Sequence, residues 1–453
     1  MKKKKTTKKK FDTIANDFAI SLTDIEQINP ASADLLRLCA FLCPENIPEE
    51  ILKEGVKDLE GHLGHIFDDS AAWDKALKDA CNTGFLRYEP AHKMITMNGA
   101  IQDFLKQGLS KTEQQTWAEK AVRAVKNVFP EVEFANWSQC QRLLRCAQTC
   151  TEWVLKWHFT FEEAVHLLTV TASFLHEKGQ YAHARPLYER ALAIREEILG
   201  KGDQKVAESL NDLASLYHIQ GKYPQAKPLY NRAVEIVEAL LDKESKEPSD
   251  TKELYEKKAT SFNNLGSLHK AQKKFEEAKP YYKKALHIWE EVLCEENTNL
   301  AATINNLAGV YEAQEEYAIA KEMYEKALDI WDRVVENDHP NISATINNLG
   351  GLYKAMGEDE KVQPLLAQAL AIREHALGED HPDVAISLNN LAEFYKSVGD
   401  YAQAKPMYEQ ALKILKETFD SNHPHLNMCS KNYKHILFLI KQSKKKRQPK
   451  RRK

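Results

Sequence analysis

Glycine and proline are scarce in this chain, with 17 glycines and 16 prolines among 453 residues. An all-β protein needs many turns, and these two residues supply most of the special turn conformations, so their scarcity favours long helices. No run of about 18 consecutive apolar residues occurs, which is the length that a membrane-spanning helix needs. No apolar segment follows the basic N-terminus, so it does not fit a secretory signal. We expect a helical protein of the cytoplasm that does not enter a membrane.

Motifs for catalysis and for metal binding are also missing. The eight cysteines include no Cys-x-x-Cys pair, and most fall in helical apolar patterns, so we expect buried, reduced thiols. His62 and His65 form a His-x-x-His pair without further ligands nearby. No Ser-His-Asp set or paired carboxylates stand out. We therefore expect no enzyme, no metal and no cofactor. Two cysteine pairs at i,i+4 spacing are expected in the core: Cys39 with Cys43, and Cys146 with Cys150.

The net charge of −3 hides an uneven distribution. Residues 1–10 carry seven lysines, residues 441–453 carry nine lysines and arginines, and neither segment contains an acid. The body between them therefore has a net charge of −19. Such an acidic body does not suit nucleic-acid binding, so we expect only weak contact with nucleic acid, through the tails. The C-terminal run resembles a nuclear import signal if the host is eukaryotic.

Internal repetition determines the predicted fold. The segment that begins Asn305-Asn306-Leu307 returns at Asn347 and again at Asn389, each time 42 residues later. Related segments begin at Asn211 and Asn263, 52 residues apart, so we expect ten extra residues to loop out near 243–256. Each copy continues into a second segment, for example Tyr401, Ala404, Pro406, Tyr408 and Ala411.

This pattern predicts pairs of antiparallel helices, A and B. A proline is expected in the first turn of helix B, where its missing N–H would have no partner. Asp-His-Pro segments separate the repeats, because the residue before a proline avoids the helical conformation. The predicted fold class is all-α, a superhelical solenoid of about six α–α repeats plus a cap. Four glycines are expected to end helices A: Gly179, Gly221, Gly357 and Gly399.

A 42-residue repeat with Asn-Asn-Leu-Ala, Ala-x-Pro-x-Tyr and Asp-His-Pro segments resembles the tetratricopeptide repeats (TPRs) of kinesin light chains and their prokaryotic relatives. The resemblance covers about residues 162–442. It implies a right-handed superhelix in which helices A line a concave groove. Such a groove would hold a protein or peptide.

Residues 20–160 do not repeat. The segments 85–88 and 94–97 flank a turn at 90–93, which predicts a short β-hairpin between helices, the layout of a winged helix. Residues 29–50 resemble the winged-helix segment of NB-ARC (STAND-type) TPR proteins, and residues 134–144 resemble the helical linker that follows it.

In that family an ATPase domain precedes the winged helix and the TPRs act as sensor. This chain has no G-x-x-x-x-G-K-[ST] loop, so the resemblance implies a relative that kept only the sensing half. The expected organisation is a basic tail at 1–15, a winged-helix-like α+β domain at 16–110, a helical linker at 111–160, the TPR solenoid at 161–440 and a basic tail at 441–453.

The second asparagine of each pair is the main candidate for ligand binding. Stacked repeats align these side chains, and a carboxamide offers two donors and an acceptor, which suits a peptide backbone of any sequence. In the alternative interpretation some of them bond to neighbouring helices instead. The candidates are Asn264, Asn306, Asn348 and Asn390, with Asp212 in the same register.

Two further series fall at repeat spacing. Lys270, Lys354 and Lys396 lie near the asparagine face and would hold an acidic group of a ligand, unless they are ordinary surface ion-pair partners. Trp289 and Trp331 late in helix B either form an exposed aromatic patch or pack on the next repeat.

The preferred function is a scaffold that binds a protein or peptide partner. One alternative is a regulatory fragment that docks on a separate nucleotide-binding protein through the winged-helix region. A second alternative is association with nucleic acid through the tails.

Overall fold

The computed structural model describes residues 22–66, 68–243, 248–292, 297–335, 339–419, 421 and 423–447. The chain divides into two compact units, the first comprising residues 1–174 and 186–198, the second residues 175–185 and 199–453. The expected tail at 1–15 lies outside the described residues, as do residues 448–453 of the C-terminal tail and Cys294.

Short helices and a small sheet form the first unit. Its strands are β1 (Ile47–Pro48), β2 (Leu86–Glu89) and β3 (Met94–Met97). Its helices are α1 (Leu22–Ile28), α2 (Pro30–Ala40), α3 (Glu49–Lys53), α4 (His62–Ile66), α5 (Ser70–Asn82), α6 (Gly99–Gln107), α7 (Lys111–Val128) and α8 (Trp137–Trp157), with a 3-10 turn at Phe134–Asn136. Helices α9 (Glu162–Glu177) and α10 (Tyr181–Leu199) contribute residues to both units.

Helix α2 is the centre of the first unit. The Asn29 side chain caps its N-terminus by accepting from the Ser32 N–H, and Pro30 occupies the first turn, where no N–H is needed. At the other end, the Gln102 amide of α6 donates to the carbonyls of Cys39 and Leu42 at 2.8 and 3.0 Å. The backbone polar groups at both ends of the helix thus have partners. The helix is buried on nearly every side, against α4, α5, α6 and α7.

The predicted β-hairpin is present, and a third strand joins it. Strands β2 and β3 pair antiparallel with Tyr88 opposite Ile95, and β1 adds to the free edge of β3. The strand order is β1-β3-β2. This confirms the small α+β domain, with the helices and hairpin in the order of a winged helix.

The tip of the hairpin is held by the linker helix. Arg142 of α8 donates to the carbonyls of His92 and Lys93 at 3.0 and 2.9 Å, and pairs with Glu50 of α3 at 2.9 Å. Four charge-assisted bonds from one guanidinium, two of them to Glu50, fix the hairpin tip against the rest of the unit. The wing therefore serves internal packing.

The expectation of reduced cysteines is wrong at one pair. A disulfide joins Cys43, after α2, to Cys146 on α8. The i,i+4 spacing of the two cysteine pairs did not indicate this bond, because its partners are 103 residues apart and meet only through the tertiary fold. Cys39, Cys140, Cys150 and Cys429 are buried free thiols, as expected.

Alternating A and B helices form the second unit. The A helices are α11 (Gln204–Ile219), α13 (Pro248–Ala271), α15 (Thr298–Ala313), α17 (Pro340–Met356), α19 (Pro382–Ser397) and α21 (Pro424–Arg447). The B helices are α12 (Tyr223–Leu241), α14 (Phe275–His287, continued by a π turn at Ile288–Val292), α16 (Tyr317–Val334), α18 (Asp359–Leu377) and α20 (Tyr401–Thr418). The solenoid of α–α repeats is therefore confirmed.

Three details of the solenoid differ from expectation. Helix α13 begins at Pro248, so most of the ten extra residues lengthen a helix instead of looping out. The prolines of helix B are the sixth helical residue, as with Pro228 in α12, so each removes one hydrogen bond from its helix. Helix α21 runs to Arg447, beyond residue 440 where a disordered tail was expected.

A buried tryptophan or arginine late in helix B packs at the contact between successive repeats. Trp289 and Trp331 are 1% and 2% exposed, so the exposed aromatic patch is wrong. The Trp331 indole N–H donates to the hydroxyl of Thr345 on the next A helix at 3.2 Å. Arg373 takes the same position one repeat later, and its guanidinium donates to the equivalent hydroxyl, that of Ser387, at 3.1 Å.

A left-handed residue ends each A helix from α9 to α19, but glycine fills only four of these six positions. Lys273 and Glu315 occupy the other two, with φ of 59° and 63°. The same two hydrogen bonds close each end; at Glu315 they are Glu315 N–H to Glu312 O and Glu316 N–H to Tyr311 O, both 2.9 Å. The repeat therefore dictates the turn even where the residue does not favour it. The six residues are Gly179, Gly221, Lys273, Glu315, Gly357 and Gly399.

Replacing Lys273 or Glu315 by glycine should stabilise the second unit. A left-handed conformation costs a residue with a Cβ about 1–2 kcal/mol, and glycine loses part of that gain through chain entropy. We expect Glu315→Gly to raise the free energy of unfolding in urea by about 0.5–1 kcal/mol. The control Glu322→Gly, in the interior of α16, should lower it by about 1 kcal/mol. A destabilised Glu315→Gly would contradict this account.

Candidate ligand-binding face

The first asparagine of each pair joins its repeat to the next. Asn263 and Asn305 accept from the amides of Asn306 and Asn348 at 3.1 and 3.0 Å, and Asn389 accepts from Asn432 at 3.0 Å. Each bond crosses between neighbouring A helices. The surface formed by the A helices of the second unit is called the A face below.

Two junctions use a serine hydroxyl instead. Asn211 donates to Ser261 at 3.1 Å, and Asn347 donates to Ser387 at 3.2 Å. Threonine stands at the serine position in the two repeats between them. The hydroxyl of Thr303 donates to a carbonyl of its own helix, and that of Thr345 accepts from Trp331. In those two repeats the second asparagine, Asn306 or Asn348, makes the hydrogen bond to the preceding A helix.

The second asparagines therefore fall into two classes. The carboxamides of Asn306 and Asn348 each use one donor in the junction, which supports the alternative interpretation for these two side chains. Within the described residues, Asn264 makes no side-chain hydrogen bond and Asn390 only accepts at 3.5 Å from Asn389. Asn264 and Asn390 thus retain most of their hydrogen-bonding capacity. Asp212 is half-buried near Tyr230.

The lysine series does not form a basic strip. Lys270 is half-buried, its ammonium contacts the carbonyl of Asn306 at 3.4 Å, and burial lowers its pKa. Lys396 pairs with Glu393 at 2.5 Å. Lys354 is exposed, and in the described part of the chain no ion pair involves it. One of three lysines thus remains available to an acidic group.

Two carboxylates on the A face were missed by sequence reasoning. Glu312 stands at the lysine position of its repeat, accepts from the Tyr324 hydroxyl at 2.8 Å, and burial raises its pKa. Glu393 accepts from the Tyr408 hydroxyl and from Lys396. The interruption of the lysine series by Glu312 was the one signal in the sequence.

The structure brings three of the predicted residues together. Asn348, Asn390 and Lys354 line one cavity of about 240 Å³ on the A face, together with Glu312 and Glu393. Asn264, Asn306 and Lys270 lie one to two repeats away and line no part of it. The cavity combines acceptors, one cation and apolar walls.

Comparison with known proteins agrees with this architecture. The family model for the tetratricopeptide repeat matches residues 164–239, 257–318, 299–375 and 363–417, which together exceed half of the chain. The chain belongs to the tetratricopeptide repeat family. A second model, a domain of unknown function (DUF7779), matches residues 23–114, the winged-helix-like part of the first unit. A search of the curated proteins gives no match.

Similar solved structures include two of the kinesin-light-chain type. BtubC (BKLC) from P. vanneervenii is 24% identical, with 53% of this chain and 90% of that chain covered and a TM-score of 0.40. A putative kinesin light chain from Podosopora anserina is 25% identical over 48% of this chain and 97% of that one, with a TM-score of 0.37. A STAND protein with a tetratricopeptide repeat sensor from Pyrococcus horikoshii is 14% identical, covers 93% of this chain and 66% of that one, and has a TM-score of 0.41.

Two absences concern only the described part of this TPR protein. No group of three or more histidine, cysteine or acidic side chains there has the arrangement of a metal site, and His62 with His65 gains no further ligand. None of the helices observed there is both long enough and apolar enough to cross a membrane.

Neighbouring asparagines of this TPR chain should respond differently to mutation. Asn263→Ala removes a junction hydrogen bond and leaves the Asn306 donor without a partner, so we expect it to lower the free energy of unfolding by about 1 kcal/mol. Asn264→Ala, one residue away, should change it by less than about 0.5 kcal/mol. Urea denaturation of both variants checks this. Equal destabilisation would contradict the division of roles.

Proposed function

We propose that this chain is a non-catalytic scaffold that binds a protein or peptide along the A face of its TPR solenoid. The observation that carries the proposal is the row of second asparagines. Their register is fixed by hydrogen bonds at the repeat junctions, while Asn264 and Asn390 keep free donors and acceptors. Such carboxamides are suited to an extended peptide backbone, because each offers two donors and an acceptor at a position that the stacked A helices fix.

The charge of the A face bears on the kind of partner. Lys270 is engaged with the Asn306 carbonyl and Lys396 with Glu393, while Glu312 and Glu393 bring carboxylates to the same surface. An exclusively acidic ligand would therefore meet few available cations. These contacts favour a partner held first by its backbone, with mixed or basic side chains.

Nucleic acid is a weaker candidate partner. The hairpin tip that a winged helix would place on DNA is held by Arg142 through the carbonyls of His92 and Lys93. Contact through the basic tails, and docking of the winged-helix region on a separate nucleotide-binding protein, stay predictions.

Replacing the two available asparagines should weaken the binding of a peptide ligand. We would select peptides on the full chain from a random phage-displayed library and measure their affinity by fluorescence polarisation. The double variant Asn264→Ala/Asn390→Ala should bind roughly tenfold more weakly, because about two hydrogen bonds of 0.5–1.5 kcal/mol are lost.

The matched control is Gln363→Ala/Gln368→Ala, two exposed amides on the B helix α18. It should leave the affinity unchanged, and both double variants should keep the melting temperature of the parent. Unchanged affinity of the asparagine variant would contradict binding along the A face.

A further inference from the structure

The cavity on the A face exists because one repeat departs from the others. In four B helices a buried tyrosine directs its hydroxyl at the A helix of the same repeat. Tyr230 hydrogen-bonds to Ser215, Tyr282 lies 3.0 Å from the Ser267 hydroxyl, Tyr324 donates to Glu312 and Tyr408 donates to Glu393. The equivalent residue of α18 is Leu366, which has no ring and no hydroxyl. The α17–α18 repeat therefore lacks the side chain that fills this space elsewhere.

Glycine on the facing helix enlarges the same space. Gly351 is equivalent to Gly309 in the repeat before it and to Glu393 in the repeat after it. The side chain of Lys270 occupies the space beside Gly309. Beside Gly351 the only atom within 4 Å of an added Cβ is Glu312 Oε1, at 3.8 Å. The volume of about 240 Å³ is below the 300–1,000 Å³ usual for small-molecule sites, so its size suits one side chain.

Hydrogen-bond acceptors without partners border this cavity. Tyr324 uses Oε2 of Glu312, and both bonds to Glu393 use Oε1, so among the described residues Glu312 Oε1 and Glu393 Oε2 accept nothing. Asn347 also lines the cavity, is 8% exposed, and its buried Oδ1 has no hydrogen-bond partner. A buried acceptor without a donor is unfavourable by about 1–3 kcal/mol. Asn347 Oδ1 is thus a buried acceptor that lacks a donor, while the free carboxylate oxygens of Glu312 and Glu393 are open to solvent and offer two further acceptors.

The remaining walls are apolar. Val362 and Leu366 of α18 and Phe394 of α19 complete the lining. A site that combines apolar walls with acceptors matches a side chain with an aliphatic stem and a cationic head, since lysine and arginine bury their methylenes and keep the charge among polar groups. Their heads carry only donors, three for lysine and five for arginine.

We propose that this cavity binds the side chain of an arginine or lysine presented by a peptide on the A face. The proposal rests on the proposed function, because the bound peptide delivers the side chain. Burial raises the pKa of Glu312 despite the opposing effects of the Tyr324 hydrogen bond and Lys270, and a further cation beside it would lower that pKa.

Two cations outside the lining already act on the carboxylates of the cavity: Lys396 pairs with Glu393, and Lys270 interacts electrostatically with Glu312. Lys354 is the cation of the lining itself and opposes a basic ligand most directly. It lines the cavity, yet its side chain is exposed on a flexible stem and can turn away towards solvent. Removing it should therefore strengthen the binding of a basic side chain.

Filling the cavity with the residue that other repeats use is the sharpest test. Leu366→Tyr introduces the tyrosine found in α14, α16 and α20, so we expect the variant to fold with an unchanged melting temperature. The probe is N-acetyl-arginine methylamide, titrated into the full chain and followed by NMR. Its citrulline analogue, similar in shape but neutral, is the matched control.

We expect the arginine probe to bind at least tenfold more tightly than the citrulline probe, Leu366→Tyr to abolish its binding, and Lys354→Met to strengthen it. Equal binding of both probes, or full binding to Leu366→Tyr, would overturn the proposal. If Leu366→Tyr fails to fold, the variant Glu393→Gln is tested in its place. Glutamine keeps an acceptor for the Tyr408 hydroxyl but removes the negative charge. Undiminished binding of the arginine probe to Glu393→Gln would then overturn the proposal.

Selected peptides separate this proposal from the proposed function. Library peptides that need Asn264 and Asn390 should carry arginine or lysine at one fixed position, and Leu366→Tyr should lose that preference. Peptides that need the asparagines but show no basic preference would overturn the cavity proposal and leave the scaffold function in place. Binding of the arginine probe without any asparagine-dependent peptide would support the cavity and count against the scaffold function.

Discussion

A single pair of helices cannot bury its own apolar faces, so every repeat of this chain depends on the contact with the next one. The side chain late in helix B meets that need. Trp331 and Arg373 occupy equivalent positions, differ in chemistry, and reach equivalent hydroxyls on the following A helix. Arg373 also donates to Ser343 at 2.5 Å and to the Asp383 carbonyl at 2.9 Å, so three of its five N–H groups have recorded partners. At these two junctions a donor is directed at the next repeat, whichever side chain supplies it, whereas Trp289 one repeat earlier is buried in the equivalent position with its indole N–H unpaired among the described residues.

The chemistry of the A face follows from those junctions. Neighbouring A helices are joined by asparagine hydrogen bonds, and the residue two positions before each pair determines which atoms form them. A serine there accepts from the asparagine of the preceding repeat, whereas with a threonine there the second asparagine donates to that repeat. Where serine accepts the bond, the second asparagine of that repeat stays available to a ligand. The solenoid therefore places available amides at Asn264 and Asn390, three repeats apart, with Asn306 and Asn348 between them partly engaged. The cavity arises from the same repetition, because α18 has Leu366 where α16 and α20 have tyrosine, and because no lysine side chain fills the space beside Gly351 as Lys270 does beside Gly309.

Most of the architecture could be predicted from periodicity, because a 42-residue repeat fixes helix pairs and their order regardless of local detail. The winged-helix-like domain could be predicted from the hairpin between helices. The sequence could not indicate that Lys273 and Glu315 adopt the glycine conformation, because packing of the repeat overrides local preference there. The disulfide between Cys43 and Cys146 was missed because it depends on tertiary contact. The roles within each asparagine pair also escaped prediction, since they depend on which hydroxyl another helix has already engaged.

The most direct test of this account is a crystal structure of the full chain with a library-selected peptide. We expect an extended peptide along α13 to α19, with its backbone bonded to Asn264 and Asn390 and one basic side chain between Glu312 and Glu393. A peptide seated on the B helices, or on residues 22–128 with the A face empty, would contradict it.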